Sequence, residues 1–186
     1  MILGVDEVGR GCWAGPLVAG AVLFDDATTI PGLKDSKKLT KLQREKLDAD
    51  IRVAAVAFGL GWVAPAEIDR LGLTEAVRLA MRRALDGISA DYDRLIVDGN
   101  YNYCKEDPKA SALVGADNLV PAVSAASVIA KVARDHFMAE QARTYPAYGF
   151  ERHVGYGTRA HVAALQQNGL CALHRRCFKP IQAYSA

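Results

Sequence analysis

GVDEVGRG, residues 4–11, closes an apolar run with two adjacent acids, Asp6 and Glu7, and then sets Arg10 between two glycines. Side chains on a strand point to alternate faces. A regular core strand would therefore bury at least one of two neighbouring carboxylates without a partner, which is costly. The pair fits where a strand ends or bends, and Gly9 and Gly11 supply the bend. On either side, ILGV (2–5) and PLVAGAVLF (16–24) read as apolar strands. Two more acids repeat the pattern. IVDGN (96–100) places Asp98, and ALVGAD (112–117) places Asp117, at the tip of a short apolar strand. Ligands of α/β sheets gather beyond the carboxyl ends of the strands, so Asp6, Glu7, Asp98 and Asp117 are expected to meet. Four close carboxylates stay ionised only beside cations. An all-oxygen donor set suits Mg²⁺ or Mn²⁺, and two such ions ~3.5–4 Å apart make a phosphodiester-hydrolysing centre. Residue pattern alone leaves a metal site and a solvated turn both open, and it selects no substrate.

The rest of the chain supplies the frame. Thr40 is placed to cap a helix carrying Leu42, Leu47 and Ile51, and VAAVAFGLGWV (53–63) returns to strand-like composition. Residues 64–88 read as a short and a longer helix, the latter with a Leu73, Val77, Met81, Leu85 stripe. A long helix starts near Pro121, and a last one spans Thr158 to about Gln167. The expected fold is α/β, a mixed sheet flanked by helices, with residues 1–186 as one domain. A net charge of +2 announces neither nucleic acid nor membrane, so electrostatic recognition must be local. The four cysteines form no C-x-x-C pair and read as reduced cytoplasmic thiols. No apolar run reaches the ~18 residues of a membrane span.

GVDEVGRGCWAGPLVAGAV (4–22) resembles the N-terminal signature of the bacterial ribonuclease HII family. GLKDSKKL (32–39), IVDGN (96–100), VPAVSAASVIAKVARD (120–135), YPAYGFERHVGYGTRAH (145–161) and HRRCF (174–178) follow in that family's order. The resemblance implies a ribonuclease H-like fold with a five-stranded mixed sheet. It implies hydrolysis of the RNA strand of RNA–DNA hybrids, and nicking of duplex DNA 5′ of embedded ribonucleotides to leave 3′-hydroxyl and 5′-phosphate ends. It also implies two Mn²⁺ or Mg²⁺ ions on Asp6, Glu7, Asp98 and Asp117. Gly9, Arg10 and Gly11 fall on the family's 2′-hydroxyl sensor, and Tyr156 on its junction-reading tyrosine. Lys37 and Lys38, with Lys34 and Lys41 nearby, compose a solvated face by pattern, and the resemblance moves them toward phosphate contact. It does the same for Arg175 and Arg176, beside Lys179. Ala116 stands just before the fourth acid, where relatives commonly carry a lysine, and Cys177 stands where many have serine. Asp135 is a rival metal ligand for which a structural bond to an arginine is expected. The four histidines are not spaced as a metal set. The expected partners are RNA–DNA hybrid and ribonucleotide-containing duplex, met by a cytoplasmic monomer with no membrane association and no obligate protein partner.

Overall fold

A computed structural model describes residues 1–34 and 36–184. Its frame is one five-stranded sheet in the order β3-β2-β1-β4-β5. The strands are β1 (Ile2–Val8), β2 (Leu17–Phe24), β3 (Ala57–Val63), β4 (Arg94–Asp98) and β5 (Ala110–Leu113). The β3-β2-β1 pairs are antiparallel, and the β1-β4 and β4-β5 pairs are parallel, so the sheet is mixed.

Helices cover both faces. On one lie α2 (Pro65–Leu71) and α3 (Leu73–Leu85); on the other lie α1 (Lys41–Ala54) and the 24-residue α5 (Pro121–Thr144). Strand alternation divides the core between them. Leu3, Val5, Leu95 and Val97 pack with Val77 and Met81 of α3, while Val22 and Phe24 pack with Ile51 of α1 and Ile129 of α5. Each such buried aliphatic side chain stabilises the fold by roughly 1.5–3 kcal/mol. The long helix lies close on the sheet because Gly20 opposes it, where an added Cβ would stand 2.3 Å from the Ala126 carbonyl oxygen. The smaller helices α4 (Ala116–Leu119), α6 (Phe150–His153), α7 (Arg159–Asn168) and α8 (Lys179–Gln182) complete the order. No helix among the described residues is long and apolar enough to cross a membrane.

Three local expectations are revised. Val53 and Ala54 belong to α1, so β3 begins at Ala57. The capping box between Thr40 and Gln43 starts that helix, and its buried Leu47 and Ile51 carry it past the point where composition turns strand-like. Asp117 is not a strand tip. Strand β5 ends at Leu113, Gly115 turns the chain through the left-handed region (φ 71°), and Asp117 sits in α4. Nor does β1 end at its acids. It stays paired with β2 as far as Val8↔Val18, whereas its pairing with β4 stops at Val5↔Val97. The neighbouring strand runs out, and that opens space beside Asp6 and Glu7.

Candidate active site

Alternation along β1 sends the two adjacent acids to opposite faces. Asp6 shares the α5 face with Gly4, and Glu7 shares the α3 face with Leu3 and Val5. Asp98, in phase with Ile96, lies on the α5 side. Asp6, Asp98 and Asp117 each offer a carboxylate oxygen, and these oxygens lie within 4.8 Å of one another. The Asp117 amide donates to Asp98 Oδ1 at 3.3 Å, fixing α4 against the end of β4. Glu7 stands apart from this trio and faces Arg10, whose Nη1 is 3.5 Å from Glu7 Oε1.

The electrostatics follow from the geometry. Asp6 is pushed up to about 8, chiefly by burial and then by the Glu7 carboxylate, with Asp98 adding to the rise. A hydrogen bond from Ser127 opposes the shift, and Ser127 is itself paired with Ser36 at 2.8 Å. Burial also raises Glu7, against the pull of Arg10. Lys37 Nζ approaches Asp117 Oδ2 at 3.4 Å, and Lys38 donates to Asn118 Oδ1. The lysine absent before Asp117 therefore has a spatial counterpart on a different segment.

The glycine-framed turn is held from beneath. Gly9 adopts φ 85°, and an added Cβ would meet Arg134 Nε at 2.3 Å. Arg134, wholly buried, donates to Pro16 O (2.8 Å), Ala14 O (3.1 Å) and Val154 O (2.8 Å). One guanidinium thus ties the turn region to the segment before Tyr156. At Gly11, by contrast, an added Cβ would meet no atom within 4 Å, so the protein's own packing does not demand glycine there.

Arg175 departs from the expected phosphate contact. It is fully buried and donates to Gly15 O and Arg10 O, both at 3.0 Å. Burial lowers it to about 10. It is an internal brace for the turn. Arg176 is exposed, and its backbone amide caps Asp69. Tyr156 is 43 % exposed, and its hydroxyl meets the Cys12 thiol at the foot of the turn. Asp135 accepts its hydrogen bond from Lys131 at 2.7 Å rather than from an arginine, and Arg44 lies 3.7 Å away as an ion-pair neighbour.

The model of the family described as Ribonuclease HII matches residues 3–181. The chain belongs to the ribonuclease HII family. It is 47% identical to the ribonuclease HII of Polynucleobacter necessarius, over 97% of this chain and 93% of that one. It is 48% identical to that of Delftia acidovorans, over 97% and 77% of the two chains. Among solved structures, it is similar to the ribonuclease H2 of Pyrococcus horikoshii (TM-score 0.82, 28% identity, 98% and 96% covered). It is also similar to ribonuclease HII of Archaeoglobus fulgidus, solved in complex with PCNA (TM-score 0.78, 27% identity, 96% and 95% covered). As a ribonuclease HII, the chain is a divalent-metal-dependent ribonuclease H that hydrolyses the RNA strand of RNA–DNA hybrids.

The donor set fits such an enzyme's metal. Three oxygen-only ligands converge, and burial together with the neighbouring Glu7 and Asp98 carboxylates pushes Asp6 up to about 8, a cost that a bound cation would offset. The contacts that Ser36, Ser127 and Arg134 make in this ribonuclease HII site were not legible in its sequence. Ser127 becomes the neighbour of Asp6 only through the packing of α5 on β1, which no local pattern in VPAVSAASVIAKVARD marks.

Proposed function

We propose that Asp6, Glu7, Asp98 and Asp117 hold two divalent ions, Mn²⁺ or Mg²⁺. On this reading the enzyme nicks duplex DNA 5′ of an embedded ribonucleotide as well as cutting RNA–DNA hybrids. The supporting observation is the convergence of the Asp6, Asp98 and Asp117 carboxylates beside an exposed turn and an exposed tyrosine. Bound there, divalent cations supply the Lewis acidity for attack of water on a phosphodiester. Water adds to phosphorus and the P–O3′ bond breaks. The water gives up a proton as it bonds to phosphorus, the leaving 3′-oxygen takes one up to become a 3′-hydroxyl, and a 5′-phosphate remains on the ribonucleotide.

The chain's own groups do the positioning. Asp6 and Asp98 approach from the α5 side and Glu7 from the other, so the acids surround the open end of β4. Ser127 and the Asp117 amide orient two of the carboxylates. The exposed Gly11 backbone admits a sugar closely, where a 2′-hydroxyl separates RNA from DNA. Tyr156 presents a flat ring for the next sugar, and Lys37, Lys38 and Arg176 lie at the surface to meet phosphates. A labelled duplex with one ribonucleotide, incubated with Mg²⁺, Mn²⁺ or chelator, tests the reading. One cut, 5′ of the ribonucleotide and abolished by chelator, is expected; cleavage of hybrid alone would restrict the enzyme to the coarser activity.

With a net charge of only +2, affinity must rest on local cations. Changing Lys37 and Lys38 together to alanine is expected to weaken binding to all duplex sequences alike. It should also reduce the slope of log affinity against log salt by about two phosphate contacts. A salt titration by fluorescence anisotropy checks this, and an unchanged slope returns both lysines to a solvated face.

A further inference from the structure

We propose that the buried histidines 161 and 174 act as positioning residues for Tyr156, fixing the backbone that presents its ring and thereby the choice of RNA–DNA junction. The proposal rests on the reading of Tyr156 as the sugar-contacting residue.

The segment before the tyrosine is strained. Val154 adopts φ 45°, a left-handed conformation that a β-branched residue rarely takes. Such strain persists only where the surroundings over-determine it. Here His153 Nε2 donates to Tyr148 O at 2.8 Å, and its Nδ1 accepts from the Gly155 amide at 3.2 Å. Arg134 holds Val154 O, and the Trp13 amide donates to Gly155 O at 2.8 Å.

Tyr156 itself is set through its carbonyl. That oxygen accepts from the Thr158 amide at 2.8 Å and lies 2.9 Å from His161 Nδ1. A carbonyl only accepts, so His161 carries its proton on Nδ1 and turns a lone pair outward at Nε2. His174 Nε2 lies 3.0 Å from that lone pair and must therefore be protonated. His174 Nδ1 is then an acceptor, and the Cys171 amide donates to it at 2.9 Å. One assignment satisfies the three shortest contacts: Cys171 N–H to His174, His174 to His161, His161 to the Tyr156 carbonyl; the Cys171 carbonyl, 3.3 Å from the same His174 Nδ1, is the longer contact that this assignment leaves without a proton. Both rings are buried, and burial lowers both pKa values, His161 to about 4, so the neutral forms that the chain requires are the ones present at pH 7. His153 stacks on His161 at 4.5 Å, and the Trp13 ring lies 5.9 Å from it. Packing alone would be met by an apolar ring. The ordered donor chain instead ends on the backbone of an exposed tyrosine.

Two substitutions separate this role from core packing. In His161→Asn the side-chain NH₂ takes the place of Nδ1 and keeps a donor for the Tyr156 carbonyl. In His161→Gln the NH₂ takes the place of Nε2 and that donor is lost. At one salt, one metal and a temperature where circular dichroism shows each variant folded, the ratio of junction cleavage to all-RNA hybrid cleavage is compared with wild type. His161→Gln is expected to lower the ratio about tenfold and His161→Asn to leave it within about twofold. Two-bond ¹H–¹⁵N imidazole spectra of the wild-type protein at pH 7 should show His161 protonated on Nδ1 and His174 on Nε2. The spectra decide the matter even where a variant does not fold, because an Nε2-protonated His161 overturns the proposal. So does an equal ratio in the two variants while Tyr156→Ala still loses junction cleavage more than hybrid cleavage. Equal loss of both activities in Tyr156→Ala would instead overturn the reading of Tyr156, and this proposal with it.

Discussion

Asp98→Asn should lose at least ~10³-fold in cleavage rate with Mg²⁺ while raising the thermal stability of the metal-free protein. On the proposed reading of Asp98 as a metal ligand, the rate loss follows from removing a charged oxygen from a centre that contributes several kcal/mol, at tenfold per ~1.4 kcal/mol. The stability gain has a separate cause: Asp98 raises both Asp6 and Glu7 by charge repulsion. Asp6 keeps its proton up to about pH 8 in the folded protein, whereas an unfolded aspartate loses it near ~4. Between those values the native state binds more protons than the unfolded one, so stability falls as pH rises through that window. Neutralising Asp98 relieves part of this burden. The rise in Tm should therefore be small near pH 4 and full at pH 8. A relief of ~1 kcal/mol corresponds to roughly 2–4 °C for a chain of this size. Added Mg²⁺ or Mn²⁺ should stabilise wild type more than the variant and narrow the gap. Scanning calorimetry at pH 4.5, 6 and 8, with and without metal, checks the sign. Near-normal turnover by Asp98→Asn would remove the residue from the mechanism.

Tyr156→Ala should lower junction cleavage by roughly 5- to 150-fold, since ring stacking in nucleic-acid sites is worth ~1–3 kcal/mol. Cleavage of an all-RNA strand in a hybrid should fall less, because a ribose at the next position packs less well on the ring in the first place. Tyr156→Phe keeps the ring, loses only the bond to Cys12, and should stay close to wild type. The decisive quantity is the ratio of the two rates under one salt and one metal. Equal losses on both substrates would make Tyr156 a general binding or packing residue. A fixed spacing between turn and tyrosine is built into the fold, because Arg134 holds Ala14, Pro16 and Val154 together.

Much of this was legible in the chain itself. The alternation of apolar residues declares β1 and β2, the Val77 and Met81 stripe declares α3, and Thr40 and Thr158 declare helix starts by capping chemistry. These are local properties, set by side-chain period and by hydrogen bonds three residues apart. Asp6, Glu7 and Asp98 stood out for the same reason, as charges at the ends of apolar runs, although β1 continues through its two acids to Val8. The sheet order and the meeting of the acids were decided elsewhere. Asp6 and Asp98 share a face only because β4 pairs beside β1, and Asp117 joins them through a left-handed turn into α4. Arg175 reads as a surface cation by composition, yet it lies inside, where carbonyls of Gly15 and Arg10, 160 and 165 positions away, accept from its Nε and Nη1. Ser36 finds Ser127 across 91 positions, and the three histidines converge only when α6, α7 and the segment after them fold together. Periodicity reports which face a residue occupies. Which distant partner waits on that face depends on how the helices pack, and that choice belongs to the tertiary structure.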